Sequence, residues 1–128
     1  MFKKLTPVLI VDAIEPVLPF WQALGFAQVA TVPRGAKIGF VILQRDAVEV
    51  MYQTIESVKE DEGRVLEGPT PVGASMLYIQ VDDLEEVMRH LPRGTNSIVE
   101  RRKTFYGATE TIVRDPAGHV IGFAQMSG

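Results

Sequence analysis

Few residues in this chain have the chemistry to act on a substrate or hold a metal, and their spacing narrows the field further. No cysteine occurs among the 128 residues, which removes disulfides, thiolate metal sites and a cysteine nucleophile together. Two histidines are present, His90 near the end of a helical segment and His119 just after a turn, and both read as surface or turn residues. The serines have no histidine and acid at a spacing recognisable as a nucleophilic triad, and no glycine-rich loop precedes a helix to cradle phosphate. Glu85 and Glu86 fall on a polar helical face, and Glu60 and Glu62 lie in a charged connector, where solvation is their ordinary role.

What remains is a carboxylate close to aromatic residues. Phe105-Tyr106-Gly107 leads into a strand carrying Glu110. If Thr111 and Val113 face a helix, Glu110 and Ile112 face the opposite side. A glutamate there either pairs with Arg114 or Arg102 on the sheet or orients a polar or cationic ligand group. Tyr78, with Met51 and Met76 nearby if strand parity holds, would extend an aromatic wall suited to a flat or irregular apolar molecule. Phe105 has a second reading, as a plug at the end of the fold, and Trp21 matches a core stripe.

The elements that must position these residues occur twice. Leu9-Ile10-Val11-Asp12-Ala13-Ile14-Glu15 recurs as Ile79-Gln80-Val81-Asp82-Asp83-Leu84-Glu85 at an offset of 70 residues. Ile14, Val17, Leu18 and Trp21 mark one helical face, and Leu84, Val87, Met88 and Leu91 repeat it. The first half reads as a strand at 7–11, a helix capped by Asp12 with Glu15 in capping-box position, and strands at 26–32, 38–43 and 48–52. Pro16 and Pro19 should bend or delay that helix. The second half reads as a strand at 76–81, a helix at 82–91 and strands at 97–103, 109–114 and 119–125, with Asp115-Pro116-Ala117-Gly118 as the last turn. The sequence thus predicts an α+β fold of two βαβββ modules, 1–53 and 74–128, joined by a connector at 54–73 with a short helix at 57–66. All of 1–128 forms one domain, because each half is too short to hold an independent core.

Composition sets outer limits on partners. Apolar residues make up 46% and charged residues 23%, with a net charge of −3, so neither a membrane span nor a basic field for nucleic acid is indicated. Arg101-Arg102-Lys103 reads as a short solvated run on a strand. The apolar stretch after Lys3 and Lys4 ends at Asp12 without a cleavage site, which points to a cytoplasmic protein.

The helix segment Pro19-Phe20-Trp21-Gln22-Ala23-Leu24-Gly25-Phe26 and the hairpin from Tyr106-Gly107 through Glu110 to Asp115-Pro116-Ala117-Gly118-His119 together resemble the vicinal oxygen chelate superfamily. This is the glyoxalase, bleomycin-resistance and extradiol dioxygenase group, and the chain is most similar to its metal-free, bleomycin-resistance-like members. The resemblance implies a curved eight-stranded sheet forming a half-open barrel around a cleft, with the enzymes' metal ligands on cleft-facing strand positions. In this sequence those positions fall on Thr6, Met76, Gly122 and either Glu49 or Val50. Glu49 is favoured because Val48, Val50 and Tyr52 make the better helix-facing set. One carboxylate among four positions is not a first-row metal site.

The expected function is therefore metal-independent small-molecule binding, as in drug or metabolite sequestration, with no cofactor. The expected ligand site comprises Glu49, Tyr78, Phe105, Tyr106 and Glu110. Two carboxylates together would favour a ligand with a cationic or donating group. The competing expectation is a lyase or isomerase using Glu49 or Glu110 as general base, its pKa raised by an apolar cleft. The resemblance also implies a homodimer.

Overall fold

Both repeats fold as β-α-β-β-β in the computed structural model, which describes residues 1–67 and 75–127. The chain divides into two compact units, Met1–Pro69 and Thr70–Gly128, and hydrogen bonding divides the eight strands into two four-stranded sheets of the same topology. Among the described residues neither sheet closes into a barrel.

The first unit runs β1 (Val8–Val11), a 3-10 turn (Glu15–Val17) passing straight into α1 (Leu18–Ala23), β2 (Ala27–Arg34), β3 (Lys37–Arg45) and β4 (Val48–Thr54). Its sheet order is β1-β4-β3-β2, with β1 parallel to β4 and the other pairs antiparallel. Ile14, Val17, Phe20, Trp21 and Leu24 are buried, as are Val11, Val41, Leu43, Val50 and Tyr52 from the strands. Trp21 lies edge-on to Phe20 and Phe26, with ring centroids 5.3 and 4.7 Å away. Its indole Nε1 donates to Tyr52 Oη at 2.8 Å. That bond satisfies a donor that has no access to water, so Tyr52→Phe is expected to destabilise the protein by about 1–3 kcal/mol in urea unfolding, although no carbon is removed. A cost indistinguishable from zero would mean that the indole finds another acceptor.

The start of this helix corrects the capping expectation. Asp12 does not cap it; Ile14 occupies the N-cap with no side-chain bond, and Glu15 Oε2 instead accepts from the backbone N–H of Ile38 at 2.8 Å. The cause is the proline pair: Pro16 and Pro19 each sit in a first helical turn, where a missing N–H is tolerated, and they split the segment into a 3-10 turn and a short α-helix. The front of the connector belongs to this unit. Thr54 Oγ1 accepts from Ser57 N–H at 3.1 Å and caps α2 (Ile55–Glu62), which continues as a 3-10 turn (Gly63–Leu66) and buries Val58. Connector residues 68–73 lie outside the described residues.

The second unit runs β5 (Met76–Gln80), α3 (Leu84–His90), β6 (Asn96–Lys103), β7 (Ala108–Arg114) and β8 (Val120–Met126), in sheet order β5-β8-β7-β6. Here capping is conventional. Asp83 caps α3, its Oδ1 accepting from Glu86 N–H at 3.2 Å. Of the repeated helix face only Leu84 is fully buried, while Val87, Met88 and Leu91 are half-buried. The offset of 70 sets Leu91 and His90 where the first unit has Trp21 and Phe20, so this face lacks the rings that close the first. Thr111 Oγ1 donates to Met88 Sδ at 3.2 Å and Val113 is buried. These residues therefore face α3, and Glu110 and Ile112 take the other side of the sheet, as parity requires. The turn before β8 is closed by Asp115 Oδ1, which accepts from the N–H groups of Ala117 and His119, while Gly118 takes φ +94°. Among the described residues no helix is long and apolar enough to cross a membrane.

Candidate functional site

On the side of the second sheet away from α3, Glu110 is 1% exposed and still fully hydrogen-bonded. Its Oε2 accepts from the hydroxyls of both Tyr78 and Tyr106, and its Oε1 accepts from Arg102 Nη2 at 2.7 Å. The phenol oxygens lie 3.3 Å apart. Tyr78 comes from β5, Arg102 from β6 and Tyr106 from the β6–β7 turn, where Gly107 at φ +86° lets the chain double back.

A β-bulge aims the arginine. Val99 pairs with Ile112 and Arg102 with Glu110, so three residues of β6 advance against two of β7. The extra residue, Arg101, adopts φ +52° and its N–H donates to Thr111 Oγ1 at 3.2 Å. The bulge thereby decides which of the two consecutive arginines takes which face: plain alternation from Val99 would put Arg101 beside Glu110, and the extra residue puts Arg102 there. Arg101 forks onto Glu85 of α3 through two bonds of 2.8 and 2.9 Å, and Arg102 reaches Glu110. The basic run is thus not simply a solvated strand face. Arg114, the other candidate partner of Glu110, donates to Gly118 O instead.

Beside the cluster, β8 contributes the buried small residues Gly122 and Ala124, paired with Tyr78 and with Glu110 respectively. A Cβ on Gly122 would lie 2.9 Å from Met76 Cε and 3.6 Å from Tyr78 Cδ1, so both side chains lean over the strand into space that glycine leaves open. The near neighbour is the far end of a flexible side chain. Gly122→Ala is therefore expected to change stability by less than about 1 kcal/mol, with Met76 swinging aside and the strand losing a glycine; a larger loss in a denaturant titration would mean that Met76 is held in place.

The donors decide the electrostatics. Hydrogen bonds from Tyr106 and Tyr78, followed by that from Arg102, hold the Glu110 carboxyl down to about 2 against the opposing effect of burial. The same bond to Glu110 pushes the Tyr78 phenol above its ordinary range. Glu110 is thus a fixed anion at neutral pH, its charge matched by Arg102.

Of the five residues expected at the ligand site, the second unit brings Tyr78, Tyr106 and Glu110 together and adds Arg102, which the sequence offers only as a partner for Glu110 on the sheet. A bulge leaves no periodic signal, so nothing in the local pattern distinguishes Arg102 from Arg101. Phe105 does not plug the fold. It is fully exposed and set edge-on to Tyr106, with centroids 5.1 Å apart. Glu49 belongs to the first unit, where its Oε1 accepts from Lys4 Nζ at 2.9 Å and Thr6 Oγ1 at 3.1 Å. Those two partners, Lys4 first, hold its carboxyl below the usual range.

Register also revises the metal-position correspondence. Val8 pairs with Met51 as Tyr78 pairs with Gly122, so Met51, rather than Glu49 or Val50, is the first-unit counterpart of Gly122. Val50 is buried with the core. The residue correspondence slips by one between the first and last strands of the repeat, which a constant offset could not reveal. The positions implied for metal ligands therefore carry Thr6, Met51, Met76 and Gly122. A hydroxyl, two thioethers and no side chain do not make a hard nitrogen–oxygen donor set, and a first-row metal ion does not fit them. Among the described residues no three His, Cys, Asp or Glu side chains form a group that could hold a metal ion.

Comparison with solved structures finds the same fold at low identity. TioX from Micromonospora sp. ML1 aligns with a TM-score of 0.77 and 17% identity, covering 98% of this chain and 100% of that one. A glyoxalase/bleomycin resistance protein/dioxygenase family enzyme from Burkholderia phytofirmans PsJN aligns with a TM-score of 0.76 and 14% identity, covering 95% and 97%. A glyoxalase-related enzyme from Fulvimarina pelagi aligns at 0.69 and 18%, covering 97% and 88%. No curated protein matches the sequence. The family's own sequence model matches residues 5–123, nearly the whole chain, and this protein therefore belongs to the glyoxalase/bleomycin resistance protein/dioxygenase superfamily.

Proposed function

We propose that this protein is a metal-independent small-molecule-binding member of its superfamily, sequestering a drug or metabolite rather than transforming it. The observation that carries this reading is the donor set: Thr6, Met51, Met76 and Gly122 stand where metal ligands would be needed, and the polar chemistry of the second sheet is gathered in the Tyr78–Tyr106–Glu110–Arg102 cluster. The competing lyase or isomerase requires a carboxylate with a raised pKa to take a proton near neutrality. Both candidates move the other way, Glu110 down to about 2 and Glu49 below its usual range, which favours binding over base catalysis.

The test has two parts. Elemental analysis of protein purified without an affinity tag is expected to find no stoichiometric Ni, Zn, Fe or Mn, and any of these bound one per chain would overturn metal independence. An NMR fragment screen is expected to return ligands that shift backbone amides of β5, β7 and β8; a screen with no such hits would overturn the binding reading. We also propose a homodimer. β2, an edge strand of its sheet, is exposed along its whole length and carries Val29 and Val32, a surface that a second chain would cover. Light scattering at micromolar concentration is expected to give twice the chain mass, and a monomer mass would contradict it.

A further inference from the structure

The proton count at the tyrosine pair carries the binding reading one step further. A phenol has a single proton, and an ionised carboxylate can only accept. Tyr78 and Tyr106 both donate to the same Glu110 oxygen, so no proton remains to lie between the two phenol oxygens, which are 3.3 Å apart at an exposed position. What they present outward is lone pairs alone, at a spacing where one donor can be shared by both. A group without a proton to give would meet two acceptors at the phenols, and only the half-exposed Arg102 guanidinium beside them could donate to it.

Charge narrows the class. Glu110 is already paired with Arg102, whose guanidinium is half exposed in the same cluster, so the site as a whole is neutral and a cation approaching the phenols meets a cation beside them. This removes the repulsion between two carboxylates as a reason to expect a positively charged ligand, since Glu49 has its own partner in Lys4. The surroundings supply apolar surface: the ring of Phe105 stands wholly exposed against Tyr106, and Met76 is exposed beside Tyr78.

We infer that Tyr78 and Tyr106 form an acceptor-only anchor for the N–H group of a neutral, planar ligand such as a lactam, amide or azole-type heterocycle, whose flat body lies against the neighbouring apolar side chains. The inference rests on the small-molecule-binding reading, and its test is separable from the fragment screen. The probes are 2-quinolone, 1-methyl-2-quinolone and benzamidinium, titrated into isotope-labelled protein and followed by amide shifts of β5, β7 and β8. The lactam is expected to bind at least about tenfold more tightly than its N-methyl analogue, which keeps the ring and carbonyl but has lost the donor. Benzamidinium, planar and rich in N–H groups but cationic, is expected to bind more weakly than the lactam. In the Tyr78→Phe/Tyr106→Phe double variant the preference for the lactam over its N-methyl analogue should fall to within about twofold.

Equal binding of the lactam and its analogue by the parent protein overturns the anchor while leaving small-molecule binding intact, and this comparison needs no variant to fold. Persistence of the preference in the folded double variant overturns it too. Tighter binding of benzamidinium than of the lactam overturns the assignment to neutral ligands. Absence of any lactam binding up to its solubility limit overturns the inference, with the fragment screen deciding separately whether the protein binds small molecules at all.

Discussion

The Tyr78→Phe/Tyr106→Phe double variant is expected to be clearly less stable than the parent at neutral pH, because the Glu110 carboxylate oxygen loses both of its donors while the rings stay in place. The cost should depend on pH in a defined direction. In the parent protein the Glu110 carboxyl is lowered from 4.5 to about 2 in the folded state, so the unfolded chain binds the extra proton between those values and stability rises with pH across that window. The contribution is fully present above about pH 4.5 and lost as pH falls through about 2. In the double variant burial is opposed only by Arg102, the carboxyl titrates higher, and the stabilisation is absent. The stability gap between parent and variant, read from urea unfolding at a series of pH values, should therefore narrow as pH falls from about 4.5 towards 2. A gap that stayed constant across that range would mean that the phenols contribute packing and not charge stabilisation.

Trp21→Ala is expected to cost about 3–5 kcal/mol, the range for removing a large, fully buried aromatic. The indole is wholly inaccessible, touches the rings of Phe20 and Phe26, and supplies the hydrogen bond received by Tyr52. Because it is the only tryptophan, far-UV circular dichroism rather than indole fluorescence must follow the unfolding. A loss under about 1 kcal/mol would show that the helix of the first unit does not depend on this ring for its packing.

The repeat at an offset of 70, the two helix stripes and the alternation along the strands are all legible in the sequence, because each reflects a local period that the backbone imposes on side-chain direction. From them followed the α+β class, the doubled βαβββ order and the sidedness of Glu110 relative to Thr111 and Val113. With the helix and hairpin motifs they also gave the family. Tyr78, Tyr106 and Glu110 were legible as candidates for the same reason. Parity placed two of them on one sheet face, and the Tyr-Gly turn placed the third.

Only the tertiary structure decided how those residues are used. Arg102 reaches Glu110 because one residue of β6 bulges out, and a bulge breaks periodicity instead of creating it. Met51 replaces Glu49 as the counterpart of Gly122 because strand register is set by hydrogen bonds between segments distant in sequence, which no constant offset encodes. Glu110 titrates low, not high, because three donors from three separate segments converge on it and outweigh burial. Local pattern determines which way a side chain points; what it meets there depends on contacts between residues far apart along the chain, and those contacts set its charge and its chemistry.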